Sequence, residues 1–133
     1  MDSLSVKDLC PQLTRQRLVI EAVVPPGNIQ DVTRIQAFAR DLTTTLGRTP
    51  VKGVAPVVWQ PTEEEAGKHA GITFMMPWVE SGLVVHTWDK FDFIAVEIST
   101  CKEFEIQTAL AIFRLWFEPL ETTYSKGFLW HEN

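Results

Sequence analysis

Apolar positions follow a helical period in two segments of the chain. In the first segment they recur every three or four residues, which places them on one face of a helix. The members of this stripe are Val32, Ile35, Phe38, Leu42 and Leu46. Asn28 suits the N-cap of the helix, and Gly47 suits the position just after its last turn. A second helix is predicted over residues 102–117, and Pro119 ends it.

Six other segments are rich in β-branched and aromatic residues, which favour strands. They cover residues 17–24, 51–59, 72–79, 81–88, 93–100 and 120–128. The polar segment 60–70 is predicted to be an exposed loop. The resulting order, β-α-β-β-β-β-α-β, predicts a single α+β domain over residues 1–133. We expect a two-layer α/β sandwich in which two helices cover one face of a mostly antiparallel sheet.

Composition and charge narrow the classes of function. Apolar residues make up 45% of the 133 residues and charged residues 22%, an ordinary globular balance. The net charge of −5 argues against nucleic acid as a partner and suits a small cationic substrate better. No apolar run approaches the ~18 residues that span a bilayer, and residues 1–16 lack a signal-peptide core. With two cysteines, a disulfide framework is not expected, and we expect a cytoplasmic protein without membrane association.

The two strands that flank residues 89–92 are predicted to form a hairpin. A turn centred on residues 90–91 pairs Ser81 with Thr100 and places Cys101 opposite Glu80. Side chains of directly paired residues lie about 5 Å apart. Cys101 is therefore expected beside the peptide bond that joins Glu80 to Ser81.

A serine, a histidine and a cysteine in one hairpin are compatible with nucleophilic chemistry. By spacing alone this signal is weak, because a turn serine, a half-buried histidine and a core cysteine give the same pattern. His86, Cys101 and Glu97 are legitimate zinc ligands. No paired Cys-x-x-Cys or His-x-x-x-His supports a metal site, so none is expected.

Residues 80–88 read E-S-G-L-V-V-H-T-W, and Cys101 follows His86 by 15 residues. This segment resembles the bacterial and archaeal S-adenosylmethionine decarboxylases, whose signature is E-S-H-x-x-x-H-T-W-P-E with a cysteine at that spacing. Thr73 stands where the family has a processing hydroxyl. Glu21 stands where its first strand carries an acidic residue. The likeness spans residues 17–128.

The resemblance implies that the chain cleaves itself into residues 1–80 and 81–133. Ser81 Oγ attacks the carbonyl of Glu80, with assistance from Thr73, and gives an ester. His86 then removes the Ser81 α-proton, and elimination followed by hydrolysis leaves a pyruvoyl group, the cofactor, at position 81.

The resemblance also implies how the cleaved protein acts on a small-molecule substrate. The pyruvoyl ketone forms a Schiff base with the substrate amine, carbon dioxide leaves, and Cys101 returns a proton. Glu21 is expected to contact the amine and Trp59 to stack on adenine. The implied activity is S-adenosylmethionine decarboxylation in polyamine biosynthesis. The family is often dimeric, so a homodimer is expected.

Two departures from the signature keep alternatives open. Gly82 replaces its first histidine, and Asp89-Lys90 replaces its Pro-Glu. The resemblance implies that the glutamate of the signature binds the ribose hydroxyls of the substrate. Lys90, which stands in its place, cannot accept a hydrogen bond. Asp89 could substitute if the turn shifts by one residue. The alternatives are a pyruvoyl-dependent arginine or ornithine decarboxylase of the same family, and an uncleaved, non-catalytic homologue that acts as a binding or regulatory subunit.

Overall fold

The computed structural model of the protein describes residues 7–130. In this part of the chain six strands form one antiparallel sheet, in the order β2-β3-β4-β5-β1-β6. The elements are β1 (Arg15–Val23), α1 (Val32–Thr45), β2 (Val57–Trp59), α2 (Glu63–Ala66), β3 (Thr73–Trp78), β4 (Ser81–Trp88), β5 (Phe93–Thr100), α3 (Ile106–Phe117) and β6 (Glu121–Trp130).

The core lies between one face of the sheet and helices α1 and α3. Alternate residues of the central strands are buried against the apolar stripes of the two helices. Phe38 of α1 meets Phe117 of α3 edge to face, with ring centroids 4.9 Å apart. The predicted α+β fold, a two-layer sandwich with two helices on one face, is confirmed.

The opposite face of the sheet, which we name the open face, carries the residues between the core positions. On β3, β4, β5 and β1, and on residues 121–126 of β6, its members are half-buried or exposed, apart from Ala95. The members of the open face include Arg17, Val19, Glu21, Thr73, Met75, Gly82, Val84, His86, Trp88, Phe93, Ala95, Glu97 and Ser99. Because this face is apolar at many positions, it offers a surface for a ligand or for a second copy of the chain.

Helix α1 begins later than Asn28 predicted. Asp31 is its N-cap, and the Asp31 carboxylate accepts a hydrogen bond from the Thr33 N–H at 2.9 Å. The Asn28 side chain instead donates to the Phe117 carbonyl at 2.9 Å. Asn28 therefore ties the preceding turn to the end of α3.

Strand β2 is shorter than the predicted segment 51–59, and the predicted loop contains a helical turn. Gly53 has a φ of 79°, and the Val54 N–H donates to the Val51 carbonyl, so a turn precedes β2. Thr62 and Glu65 form a reciprocal capping box that starts α2. The prediction of an exposed loop overlooked this Thr-Glu spacing.

Helix α3 begins at Ile106 rather than at residue 102, because side chains from elsewhere hold the preceding backbone. Arg48 donates to the Lys102 carbonyl at 2.7 Å and to Thr100 Oγ1 at 2.9 Å. Gln16 binds both the N–H and the carbonyl of Phe104, at 3.0 and 3.1 Å. These bonds satisfy backbone groups that a helix would otherwise use.

Candidate active site

The β4–β5 hairpin brings Cys101 to the bond between Glu80 and Ser81. Ser81 pairs with Thr100, and the Cys101 N–H donates to the Glu80 carbonyl at 2.8 Å. The register expected from the sequence is confirmed. We name Thr49, Glu80, Ser81 and Cys101 the Ser81 corner.

Ser81 has an unusual backbone conformation. Its φ is 138°, a positive value that lies outside the left-handed helical region used by Asp92 and Glu118. Such a conformation costs a non-glycine residue on the order of 1–3 kcal/mol. The strain falls on the residue whose N–H belongs to the bond expected to break. Ser81 is also exposed, so its hydroxyl is open to the adjacent cleft.

Thr49 holds the other side of this turn. The Glu80 carboxylate accepts hydrogen bonds from the Thr49 N–H at 2.9 Å and from the Thr49 hydroxyl at 2.8 Å. The backbone hydrogen bond from Thr49 is the main cause that lowers the pKa of the Glu80 carboxyl. The Val79 N–H donates to the Thr49 carbonyl at 2.8 Å. The turn is therefore fixed on both sides of the Glu80 carbonyl.

Arg48 lies beneath the same corner and is only 6% exposed. Its guanidinium donates to neutral oxygens, among them the Leu46 carbonyl and the hydroxyl of Thr100. Because Thr100 pairs with Ser81, Arg48 fixes the strand against which the turn is built. Sequence analysis missed Arg48 and Thr49, since their contacts join segments more than 30 residues apart.

A cleft of about 400 Å³ opens beside Ser81 on the open face. Its volume lies in the range of small-molecule sites. The lining is apolar apart from two serines and one carboxylate; it comprises Val54, Ala55, Val57, Met75, Met76, Pro77, Ser81, Gly82, Leu83, Val84, Glu97 and Ser99.

Gly82 stands at the mouth of this cleft, where the family signature has a histidine. A Cβ at position 82 would lie 3.0 Å from the Met76 carbonyl oxygen of the neighbouring strand. The close approach of β3 and β4 therefore favours glycine here, and a larger residue would push the two strands apart.

Four other predicted residues lie in one row across the sheet, which we name the histidine row. Trp59 pairs with Thr73, and Thr73 pairs with His86. His86 pairs with Ala95, which in turn pairs with Glu21. Thr73 Oγ1 and His86 Nδ1 are 3.3 Å apart, within hydrogen-bonding distance. The row thus combines an acid, an imidazole, a hydroxyl and an exposed indole on the open face.

Within one chain the histidine row does not reach Ser81. His86 follows Ser81 by five residues on the same strand, which corresponds to about 16 Å. Thr73 lies beside His86 and is equally distant. Within one chain the imidazole and Thr73 therefore lie too far along the extended strand to touch residue 81, and their predicted roles there stay a prediction. Cys101 and Glu80 are the predicted residues that do adjoin Ser81.

Asp89 follows β4 at the end of the sheet that carries the histidine row. Its N–H donates to the Ala70 carbonyl at 3.0 Å. Burial raises the pKa of the Asp89 carboxyl, and the nearby charge of Asp92 raises it further. Within residues 7–130, Asp89 Oδ1 is buried without a hydrogen-bond partner. Lys90, beside it, is exposed. Asp89 thus carries an unpaired, buried acceptor atom at this turn.

Asp89→Asn is expected to stabilise the unliganded protein at neutral pH. Because the folded-state pKa lies above the ordinary value of 3.8, the ionised carboxylate disfavours folding at pH values above both pKa values. The free-energy cost of the ionised carboxylate disappears as pH falls below the ordinary pKa. The stabilisation by Asp89→Asn should therefore shrink in acid. Thermal unfolding at pH 7 and pH 4 measures this in a Ser81→Ala background, with the exposed Glu103→Gln as control. A variant midpoint equal to or below the parent's at pH 7 would contradict it.

Two further expectations concern metal ligands and membrane insertion. Within the part of the chain that the structure describes, no group of three histidine, cysteine, aspartate or glutamate side chains could hold a metal ion. His86 and Cys101 lie at opposite ends of the hairpin. Among residues 7–130, no helix is both long and apolar enough to cross a membrane.

The fold and the site together define a class of protein: a two-layer α/β sandwich with a cleft on its open face, lined in part by a strained serine that lies beside a cysteine at a strand turn. A family model for S-adenosylmethionine decarboxylase matches residues 16–127. The chain therefore belongs to the S-adenosylmethionine decarboxylase family, and the resemblance seen in the sequence is confirmed.

Comparison with solved structures agrees with this assignment. The chain is similar to the crystal structure of the adenosylmethionine decarboxylase from Aquifex aeolicus VF5, with a TM-score of 0.66 and 16% identity. The match covers 86% of this chain and 88% of that one. At this identity the likeness shows a shared fold. No curated protein sequence matches this chain significantly.

Proposed function

We propose that this chain cleaves itself between Glu80 and Ser81 and that the resulting pyruvoyl group makes it an S-adenosylmethionine decarboxylase of polyamine biosynthesis. One observation carries the proposal. In a chain of this family, Ser81 has a strained positive φ, and the carbonyl it must attack accepts the Cys101 N–H at 2.8 Å. A cytoplasmic location accords with this role.

The first step is an acyl shift from nitrogen to oxygen. Ser81 Oγ attacks the carbonyl carbon of Glu80, and negative charge develops on the carbonyl oxygen. The Cys101 N–H already points at that oxygen, so it stabilises the charge as an oxyanion donor does. Breaking the C–N bond leaves an ester and a free amine on Ser81, and it relieves the backbone strain at that residue.

The second step needs a base for the Ser81 α-proton. Loss of this proton expels the main-chain carboxylate of Glu80 from the β-carbon of residue 81. Residues 1–80 are thereby released. The dehydroalanine that remains takes up water and loses ammonia, which leaves the ketone. His86 has the right chemistry, since a neutral imidazole accepts a proton near pH 7. The imidazole of the same chain is about 16 Å away along the strand.

A homodimer resolves this distance. The Ser81 corner and the histidine row lie at opposite ends of the open face, on either side of the Val84–Glu97 pair. A two-fold axis that lies between two such sheets, parallel to them and perpendicular to their strands, exchanges the two ends when a second copy packs face to face. Each imidazole then lies over the other chain's Ser81. Exposed apolar residues such as Met75 (43%) and Val57 (58%) would be covered by this packing.

The site suits the group that the family implies. A pyruvoyl group supplies an electrophilic ketone that binds a primary amine and accepts the electron pair left by departing carbon dioxide. Position 81 opens onto a cleft with apolar walls, and the second copy of the chain would exclude water from the reacting carbon by covering it. Cys101 adjoins position 81 and can hold the proton that the product carbon requires. In the dimer, Glu21 and Trp59 of the opposing row would meet the amine and the adenine of the substrate.

An amino-acid substrate is the second candidate function, because Lys90 occupies the position of the family's ribose-binding glutamate and is exposed. Release of labelled carbon dioxide from S-adenosylmethionine, arginine and ornithine separates the two. We expect release from S-adenosylmethionine alone, with Asp89 accepting the ribose hydroxyls. Release from an amino acid alone would assign the second function. Persistence of one uncleaved chain without any release would leave a binding or regulatory subunit.

A further inference from the structure

The cleft beside Ser81 contains one charged side chain, Glu97, to which the family resemblance gives no role in substrate recognition. We propose that Glu97 binds the positive charge that the substrate carries a few bonds from its reacting amine, which in S-adenosylmethionine is the sulfonium. This inference rests on the proposed function, because it places the amine at residue 81.

Position and surroundings favour this role. Glu97 is exposed, and it pairs with Val84 on one side and with Val19 on the other, so apolar residues flank it on both neighbouring strands. A substrate that covers the carboxylate removes water from it, and a charge interaction is then stronger than in open water. Between Glu97 and Ser81 lie Gly82 and Ser99, two small residues that leave the floor of the cleft free.

The spacing also fits. Ser81 pairs with Thr100, and Glu97 lies three residues farther along β5, so the two Cα atoms are about 11 Å apart. A substrate amine bound at position 81 occupies part of this distance, and the glutamate side chain reaches back over the remainder. The cation of a small amino-acid-like substrate would therefore meet the carboxylate.

No other group that the same chain contributes to the cleft can serve this purpose. The lining contains no aromatic ring, so cation–π binding is not available in the cleft of a single chain. Arg17 lies one row away, opposite Ser99. In the described part of the chain, Arg17 and Glu97 form no ion pair within 4.0 Å. The carboxylate is thus free to take an external cation.

Calorimetric titration tests the charge directly. The full Ser81→Ala chain, which cannot turn substrate over, is titrated with S-adenosylmethionine and with its neutral thioether counterpart, S-adenosylhomocysteine. The chain should prefer the sulfonium by about tenfold, as expected for a partly desolvated charge pair. Adding Glu97→Gln should abolish the preference, Glu97→Asp should retain most of it, and the exposed Glu103→Gln should leave it unchanged.

A preference that survives in Glu97→Gln would overturn the proposal, and so would equal binding of the two ligands by the parent. Unchanged melting midpoints would show that the variants fold. Cleavage of the unmutated chain is scored separately by mass, so failure of the proposed function remains distinguishable. If the unmutated chain never cleaves but Glu97→Gln abolishes the sulfonium preference, the Glu97 site is supported and the proposed enzymatic function is not.

Discussion

Ser81→Ala is expected to leave one uncleaved chain of 133 residues and to abolish decarboxylation. The substitution removes the oxygen that attacks the Glu80 carbonyl, and no ester can form without it. It removes one exposed oxygen atom and keeps the Cβ, so the sheet register and the Cys101 N–H···O=C Glu80 bond should persist. Denaturing mass spectrometry after prolonged incubation measures the chain, and carbon dioxide release measures the activity.

Ser99→Ala is the matched control, because Ser99 lines the same cleft on the neighbouring strand. Its hydroxyl does not adjoin the Glu80 carbonyl, so this variant should be cleaved like the parent. Parental amounts of the two fragments from Ser81→Ala would refute the assignment of the nucleophile. Loss of cleavage in Ser99→Ala would show that the cleft, rather than one hydroxyl, controls the reaction.

His86→Ala is expected to slow elimination by at least about 100-fold, the smaller end of the effects of positioned bases. Mixing it with Ser81→Ala during folding should restore cleavage. In a mixed dimer, the intact Ser81 of one chain meets the intact His86 of the other. Random pairing should therefore allow cleavage of about half of the His86→Ala chains and of none of the Ser81→Ala chains.

The exposed His69→Ala provides the control for the mixing experiment, since His69 lies outside both groups of site residues. Each variant folded alone should remain almost uncleaved, and His69→Ala should cleave normally. If the mixture stays uncleaved although mixed dimers form, the two-chain site is wrong. If His86→Ala folded alone is cleaved as the parent is, the imidazole has no role in the reaction.

The hairpin shows what sequence reasoning could reach. Its register was predictable because the connection between β4 and β5 is short, so one turn fixes every pair from Trp88–Phe93 to Ser81–Thr100. The fold class followed from the two periods of apolar residues. The family followed from residues 80–88 and Cys101, which is confirmed by the match over residues 16–127.

Other parts of the site were not predictable because they depend on contacts between distant segments. Nothing in the Arg48-Thr49 dipeptide indicates that it clamps a turn more than 30 residues away. The strain at Ser81 is a backbone property that residue type does not report. The separation of His86 from Ser81 within one chain is likewise not evident from a sequence motif, because the motif does not show the length of an extended strand.

The central claim is that residue 81 becomes a pyruvoyl group, and the mass of the smaller fragment tests it most directly. Intact-mass spectrometry of the purified, unmutated protein should find residues 81–133 lighter by one ammonia than the serine-terminated peptide, with residues 1–80 as an unmodified partner. A fragment that begins with an ordinary serine, or a chain that stays whole after long incubation, would contradict the account.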